Sequence, residues 1–506
     1  MSPMNRGRRT RLLTTRRLAL CLIIITGIGL VYTISALGNP EYIQGRASDT
    51  VRNAVSAAGS ARERLLHGPA GHKGEDIFCD GVVDDGRIVV VVKTGATEAL
   101  EKVPAQLATS LRCIAKPVIV SDLNQTVGRH QIHNVLAGAD AGVIASNPDF
   151  EIYRKQQLLA KSGSLEDLPS LSTMPIAKED WRTKGKTAAW GLDKYKFLHM
   201  VEKAWELQPG KDWYIFIEAD TYLSYRNLRI FLEKYDPSTP LYFGSPVKMW
   251  EHKPKPLWFG YGGSGFILSG AVVRDWTTNH PGLANEWDKK IGKMWFGDFV
   301  VADALNDELH VQLTDAWPML HNNEPNVAAF SPDTWCKPVV TMHHLTSRDF
   351  DDVYHAELAV RGKPFRFRDV YRHFYDFGLP FKREFWDNLA GEEPEFELKV
   401  VENNLEHFSG AFDPKSLKDP HQFFSGCQLA CVQNEKCFQF TWSMTTSDGG
   451  DRQTECHLTK VFRKGRKRET EKWTDKKTGA KWERNWISGW RSNRISKFVE
   501  EHDECS

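Results

Sequence analysis

The chain has 506 residues, of which 41% are hydrophobic, and its 66 Lys and Arg nearly balance 65 Asp and Glu, for a formal net charge of +1. This length predicts two to four folded units, and the hydrophobic fraction excludes a wholly disordered chain. The small net charge argues against a dedicated nucleic-acid-binding protein. The charge is unevenly distributed, because residues 1–17 hold six arginines and no acidic residue, so that 60 basic and 65 acidic residues leave −5 for the rest.

An uncharged, mostly apolar segment of 20 residues, 18–37, follows the arginines. That length just spans a bilayer, and the positive-inside rule predicts a cytoplasmic tail (1–17) before a transmembrane signal anchor (18–37). A cleaved signal peptide, and hence a secreted protein, is the alternative, but the segment exceeds the usual apolar core of about 7–15 residues. Residues 38–75 lack large apolar clusters and are typical of a stem that separates a lumenal domain from the membrane.

Cysteine placement agrees with an oxidising compartment. Cys21 lies inside the apolar segment, and the eight cysteines after it predict up to four disulfides. There is no C-x-x-C pair, so a zinc ribbon or a thioredoxin-like motif has no support. Asn124 begins the single N-x-S/T sequon and is the candidate glycosylation site.

The apolar pattern predicts an α/β domain from about residue 76 to 395. Residues 88–92 and 213–217 are continuous apolar runs of the kind found in buried parallel strands. A helix is predicted over 98–112 and a strand over 117–120, and a longer helix over 190–208 ends at Pro209-Gly210.

The composition changes after residue 395. Residues 396–506 hold five of the eight later cysteines, and 421–434 form a short helical stretch with Cys427 and Cys431 one turn apart. Residues 460–484 carry 11 Lys and Arg against four Asp and Glu, which suits either acidic glycans and headgroups or a solvated loop. This pattern predicts a second, disulfide-stapled module.

Two acids follow the predicted strand 213–217. Glu218 and Asp220 are two positions apart, so an extended backbone directs both side chains to one side, where they can share a divalent cation. Open α/β sheets bind ligands at the carboxyl ends of their strands. The pattern favours a metal that bridges a nucleotide diphosphate, although most acid-x-acid triplets lie on solvated turns.

Several motifs accompany these acids in a fixed order. They are Lys93-Thr94-Gly95, Glu218-Ala219-Asp220-Thr221-Tyr222, Tyr242-Phe243-Gly244-Ser245-Pro246, Tyr261-Gly262-Gly263-Ser264-Gly265-Phe266, Gly297-Asp298-Phe299-Val300 and Val340-Thr341-Met342-His343-His344. Over roughly residues 86–360 this order resembles family 31 of the glycosyltransferases, the group of fringe and core-1 β-1,3-galactosyltransferases, and most of all its fungal branch.

The resemblance implies a GT-A (Rossmann-like) α/β fold, a UDP-sugar donor, Mn2+ or Mg2+, and a glycan or glycoprotein acceptor. It further implies a type II Golgi membrane protein with a lumenal catalytic domain. Asp220 matches the metal-binding last acid of the family's Asp-x-Asp signature, Glu218 its first acid, and His343 its late metal-binding histidine. His344 is the alternative, one residue along, and a core role is the alternative for either histidine.

The same resemblance assigns Asp298 as the base that deprotonates the acceptor, and the alternative is that Asp298 caps a helix over 299–309. The residues it implies for nucleotide-sugar binding are Lys93, Thr94, Asp122, Lys196, Gly262, Gly263, Ser264 and Gly265. A plain glycine-rich turn and a surface lysine are the alternatives for the glycines and for Lys196. Four tryptophans are candidates for stacking on acceptor sugars, although core positions are commoner, namely Trp190, Trp250, Trp258 and Trp295.

The spacing of Cys427, Cys431, Cys437 and Cys456 resembles a PAN/apple domain, a small α+β module. That resemblance implies the bridges Cys427–Cys456 and Cys431–Cys437. A Cys79–Cys113 bridge could close the first strand–helix unit, which leaves Cys336 and Cys505. Such modules bind proteins or glycans, so the alternative to an enzyme is a non-catalytic glycan-binding or adhesion protein.

Overall fold

The structure is a computed structural model that describes residues 79, 82, 84–177, 187–250, 255–360, 362–375, 378–391 and 404–505. The predicted tail, anchor and stem, with Cys21, lie outside the described residues. Among the residues that are described, no helix is both long enough and apolar enough to cross a bilayer. The described chain is treated below as a central region (84–391) and a C-terminal region (404–505).

The central region alternates short strands and helices. Its strands are β1 Ile88–Lys93, β2 Val118–Ser121, β3 Gln125–Val127, β4 His130–Asn134, β5 Trp213–Glu218, β6 Tyr222–Leu223, β7 Tyr242–Gly244, β8 Pro246–Met249, β9 Leu257–Gly260, β10 Phe266–Ser269, β11 Leu313–Asp315, β12 Thr341–Met342, β13 Lys382–Glu384 and β14 Trp386–Asp387. Its α-helices are Ala99–Ala108, Ala141–Ser146, Glu151–Ser162, Ala188–Asp193, Lys196–Leu207, Tyr225–Leu232, Gly270–Asn279, Leu283–Ile291, Gly297–Glu308, Pro332–Trp335, Ser347–Ala359 and Phe367–Phe374. Its 3₁₀ helices span Val135–Gly138, Pro148–Phe150, Leu165–Thr173 and Gly262–Ser264.

An eight-stranded mixed sheet organises this region, in the order β11-β7-β10-β5-β1-β2-β4-β3. The central strands β5, β1, β2 and β4 are parallel, whereas β10 runs antiparallel to β5 and β7. Alternate residues of β1 enter two hydrophobic cores, with Val89 and Val91 on one face and Val90 and Val92 on the other. Burial on both faces explains the continuous apolar run, and the predicted strands at 88–92, 117–120 and 213–217 are confirmed.

The predicted helix 190–208 forms as two helices, Ala188–Asp193 and Lys196–Leu207. Between them the backbone tightens, because the Tyr195 amide donates to the Leu192 carbonyl at 3.1 Å, three residues back instead of four. The break lies beside Asp193 and Lys196, two residues of the candidate site.

The C-terminal region is an antiparallel sheet with a helix on one face. Its strands are β15 Asn404–Ala411, β16 Gln439–Ser447, β17 Arg452–Thr459, β18 Arg466–Lys467, β19 Glu471–Thr474 and β20 Lys481–Trp490, and its helices are the 3₁₀ turn Pro420–Gln422 and the α-helices Phe424–Gln433 and Ser492–Glu501. The sheet order is β13-β20-β16-β17-β15, with β19 paired to β20. The sheet therefore takes β13, Lys382–Glu384, from the chain that precedes residue 395.

Four disulfides staple the described chain: Cys79–Cys113, Cys336–Cys505, Cys427–Cys456 and Cys431–Cys437. The sequence analysis expected three of these bridges, Cys79–Cys113, Cys427–Cys456 and Cys431–Cys437. The fourth joins Cys336 and Cys505, the two cysteines that those bridges leave. The Cys336–Cys505 bridge joins the two regions, which also share one hydrophobic core that contains Trp335, Phe462 and Phe498.

Candidate functional site

The carboxyl ends of β1 and β5 bring together the first charged residues of the candidate site. Lys93 closes β1 and lies opposite Glu218, which closes β5, in the parallel register. The Lys93 ammonium is 3.1 Å from Glu218 Oε1 and 2.5 Å from Asp193 Oδ2. Lys93 is buried, and burial opposes its charge, but these two carboxylates raise its pKa.

Asp193, at the end of the helix Ala188–Asp193, connects two lysines. Its Oδ1 is 2.8 Å from Lys196 Nζ, while Oδ2 holds Lys93. Burial alone would raise the pKa of Asp193, but Lys196 and Lys93 lower it to about 2, so the carboxylate is ionised. Sequence reasoning missed Asp193, because its contact with Lys93 spans 100 residues of chain.

Lys196 lies inside the site and not on the surface, where the alternative interpretation put it. Its ammonium donates to the Thr94 carbonyl at 2.8 Å and lies 3.6 Å from Asp122 Oδ1. The Thr94 hydroxyl is buried and has no hydrogen-bond partner within the part of the chain that the structure describes. A buried hydroxyl without a partner, on the residue whose carbonyl binds Lys196, fits an anionic ligand that supplies the missing acceptor.

Asp220, His343 and His344 form a cluster whose potential ligand atoms all lie within 4.8 Å of one another. Asp220 Oδ1 is 3.3 Å from His343 Nδ1, and the Thr221 hydroxyl is 3.1 Å from the same nitrogen. Burial lowers the pKa of His343 to about 3, so its imidazole is neutral, as a metal ligand must be. One carboxylate and two imidazoles are a donor set that suits Mn2+ and other divalent transition ions.

Glu218 lies outside this cluster and pairs with Lys93, although the sequence analysis expected it to share the metal with Asp220. That expectation required an extended backbone through Asp220, whereas β5 ends at Glu218 and Ala219-Asp220 form a turn. Burial, opposed by Lys93, raises the pKa of Glu218 to about 7.

A second lysine that the sequence analysis missed, Lys102, approaches Asp220. Its ammonium lies 3.2 Å from Asp220 Oδ2 and 2.9 Å from Glu98 Oε2. Burial opposes ionisation of Asp220, but His343 and Lys102 outweigh it and lower the pKa of Asp220. The spacing of Glu98 and Lys102 indicates a helical ion pair, but no local signal connects Lys102 with residue 220.

The glycine-rich segment passes directly beneath the histidine. A Cβ on Gly263 would come within 2.2 Å of His343 Nε2, so only glycine fits while the ring stays in position. Gly265 has φ of +79°, in the left-handed region that favours glycine. The Ser264 carbonyl accepts a 2.6 Å hydrogen bond from the Thr341 hydroxyl, which joins this segment to β12, just before His343.

Asp298 lies beside the same glycines. Its Oδ2 accepts the Gly262 amide at 2.7 Å and its Oδ1 accepts the Phe299 amide at 2.8 Å. The helix begins at Gly297 with Phe296 as its N-cap, so Asp298 is not the cap that the alternative interpretation required. Burial raises the pKa of Asp298 to about 6 in spite of these hydrogen bonds, and a carboxylate with that pKa can accept a proton near neutral pH.

The four candidate tryptophans and Asn124 are not part of the Asp220 cluster. Trp190 and Trp295 contact Phe296, with ring centroids 6.1 and 6.2 Å apart, at the start of the helix that carries Asp298. Trp250 and Trp258 flank the Lys248 ammonium at the β8–β9 pair. Asn124 is exposed, as a glycosylation site must be.

Part of the chain is similar to known proteins. A family model described as Fringe-like matches residues 191–377. Beta-1,3-N-acetylglucosaminyltransferase lunatic fringe of Mus musculus is 23% identical over 185 residues, which cover 33% of this chain and 47% of the mouse protein. The chain thus spans about half the length of this curated relative.

A solved glycosyltransferase involved in the glycosylation of the major capsid of PBCV-1 aligns with 13% identity and a TM-score of 0.18, over 36% of this chain and 80% of the other. The Fringe-like match contains Asp193, Lys196, Asp220, Asp298 and His343, whereas Lys93, Thr94 and Asp122 precede it. Residues 191–377 are similar to the Fringe-like family, and the Asp220 cluster and Asp298 lie within that range.

Proposed function

We propose that this protein is a metal-dependent inverting glycosyltransferase that moves a hexose, galactose or a related sugar, from a UDP-sugar to a glycan hydroxyl with β-1,3-type linkage. The observation that carries the proposal is the convergence of Asp220, His343 and His344 within 4.8 Å inside the range that matches the Fringe-like family. Asp298 is joined to that cluster through the glycine-rich segment, because Gly262 bonds Asp298 while Gly263 packs on His343.

In the proposed reaction Asp298 accepts the proton of the acceptor hydroxyl as that oxygen bonds to the anomeric carbon. The bond from the anomeric carbon to the diphosphate oxygen breaks at the same time, so the configuration inverts and UDP leaves with the bonding electrons. Lys93 and Lys196 would contact the donor's diphosphate in competition with Asp193, Glu218 and Asp122, the carboxylates that balance their charge here. Mn2+ or Mg2+ held by Asp220 and the histidines would neutralise the leaving diphosphate.

The test is Mn2+-dependent hydrolysis of a panel of UDP-sugars by the wild-type chain and by Asp220→Asn. A matched control is Asp351→Asn, because the Asp351 side chain is 59% exposed on a helix outside the cluster. We expect Asp220→Asn to lose hydrolysis and Mn2+ binding together while Asp351→Asn keeps both. Equal activity of the three proteins would exclude Asp220 as a metal ligand.

We further propose a Golgi membrane location with a type II anchor at 18–37, from the arginine-flanked apolar segment. N-terminal sequencing of the mature protein checks it, because a cleaved signal peptide would begin the chain after that segment.

A second candidate function, glycan binding by a PAN/apple-like C-terminal module, has its own support. A cleft of about 440 Å³ there is lined by Trp473 and Trp482 together with Lys472, Lys481 and Glu483. The two indole rings are nearly parallel, 12° apart, and Trp473 is 42% exposed. Flat aromatic faces bordered by charged groups suit the apolar face and the hydroxyls of a sugar.

Quenching of tryptophan fluorescence by neutral β-linked trisaccharides tests this cleft in the full chain. We expect Trp473→Ala to lose the response, while Leu429→Ala, which removes another exposed apolar side chain of the region, keeps it. A protein that binds glycans here but neither Mn2+ nor UDP would be a non-catalytic adhesion protein.

A further inference from the structure

A second group of metal-ligating side chains lies on the C-terminal sheet, away from the candidate active site. His407 of β15 is the direct antiparallel partner of His457 of β17, and Glu455 lies two residues before His457. Because side chains alternate along a strand, all three project from one face of the sheet. Their potential ligand atoms lie within 4.8 Å of one another.

Packing holds the two imidazoles together before any ion binds. The rings of His407 and His457 are stacked, with centroids 4.0 Å apart and planes 10° apart. A Cβ on Gly391 would come within 2.7 Å of the His457 ring, so the backbone at 391 packs directly on that imidazole. The nitrogen lone pairs lie in the ring planes, so one ring must turn out of the stack before both imidazoles can bind the same ion.

Glu455 is oriented by its neighbours. Both hydrogen bonds that Glu455 accepts among the described side chains end on Oε2, one from His457 at 3.4 Å and one from Arg484. These contacts leave Oε1 for a ligand, and an outer partner that orients a carboxylate is common around metal sites.

We propose that His407, Glu455 and His457 bind one divalent ion of the zinc class. Two imidazole nitrogens and one carboxylate oxygen suit Zn2+ better than Ca2+ or Mg2+, which prefer oxygen ligands alone. His407 is exposed and the other two are half-buried, so an ion can enter from solvent. Cys456, between Glu455 and His457, faces the opposite side and is bonded to Cys427, so the ion would join β15 to β17 on the face that the disulfide leaves open.

The test is Zn2+ binding to the full chain by calorimetry, in an Asp220→Asn/His343→Ala background that removes the candidate active-site ligands. We expect about one equivalent of Zn2+ in that background and a loss of about 100-fold or more in affinity when His407→Ala is added, since even an outer partner contributes 10–100-fold. His355→Ala is the matched control, because His355 is an exposed histidine on the helix Ser347–Ala359, outside the C-terminal sheet.

Co2+ absorption provides a second readout, with the bands of a site that contains nitrogen expected in the background protein and absent after His407→Ala. The proposal is overturned if the background protein binds no Zn2+, or if His407→Ala and His355→Ala bind it equally. Neither measurement uses a UDP-sugar or turnover, so its outcome is independent of the proposed transferase activity.

Discussion

The described part of the chain contains two groups of one carboxylate and two imidazoles, and they are built in different ways. In the central region Asp220 and the His343–His344 pair meet at the end of a sheet after more than a hundred residues of intervening chain. In the C-terminal region His407 and His457 are direct partners in neighbouring strands. The first group depends on the whole fold, whereas the second depends on one strand register.

The two groups also differ in how far their histidines are buried. His343 is buried, so its pKa is depressed and it stays neutral at any ordinary pH. His407 is exposed to solvent, and its strand pairs with the strand of His457. A buried core keeps a histidine ligand neutral by excluding water, whereas an exposed sheet can only align its ligands.

The largest expected effect on stability follows from removing the Cys336–Cys505 disulfide, which joins the central and C-terminal regions. Cys336 and Cys505 are 169 residues apart, so the double variant Cys336→Ser/Cys505→Ser should lower the free energy of unfolding by about 4–5 kcal/mol. Removing Cys431–Cys437, whose separation is 6, should lower it by only about 2 kcal/mol. Urea unfolding under non-reducing conditions measures both, and equal losses would contradict the expected dependence on loop length.

Asp298→Asn tests the chemistry of the central region alone. We expect kcat to fall by about 10³-fold, equivalent to about 4 kcal/mol, because an amide cannot accept the acceptor's proton. Mn2+ binding should stay unchanged, since Asp298 is not in the Asp220 cluster. If kcat decreases by less than threefold while the melting temperature is unchanged, another group is the base.

Gly263→Ala tests whether close packing holds His343. The added Cβ would lie 2.2 Å from His343 Nε2, so we expect a loss of about 1–3 kcal/mol of stability and weaker Mn2+ binding. Gly138→Ala is the control, because a Cβ there meets nothing within 4 Å. Zn2+ binding at His407 should be unchanged in both, and a parallel loss would mean that the two groups are coupled.

The smallest expected effect is on the pH profile. The pKa of Asp298 is raised to about 6, so activity should fall as pH drops through 6 and the carboxylate takes up a proton. Well below that pKa the rate should decrease roughly tenfold per pH unit. His343, with a pKa of about 3, is still neutral in this range, so saturating Mn2+ should not restore the rate.

Much of the central region could be predicted from local patterns. The run 88–92 predicted a strand because both of its faces are buried. The choice of Asp220, Asp298 and His343 rests instead on the resemblance of the ordered motifs to family 31. Local patterns failed where the backbone changes direction. Glu218 was expected beside the metal because strands alternate, but the strand ends at that residue and its side chain pairs with Lys93.

The sequence by itself determined the alternation of strands and helices, the apolar faces and the even set of cysteines after residue 75, because periodicity and composition act over a few residues. Only the tertiary structure decided that Asp193 connects Lys93 with Lys196, that Lys102 neutralises Asp220, and that His407 faces His457. Those contacts join segments far apart in the chain, and their energy depends on burial and register, which no local pattern contains.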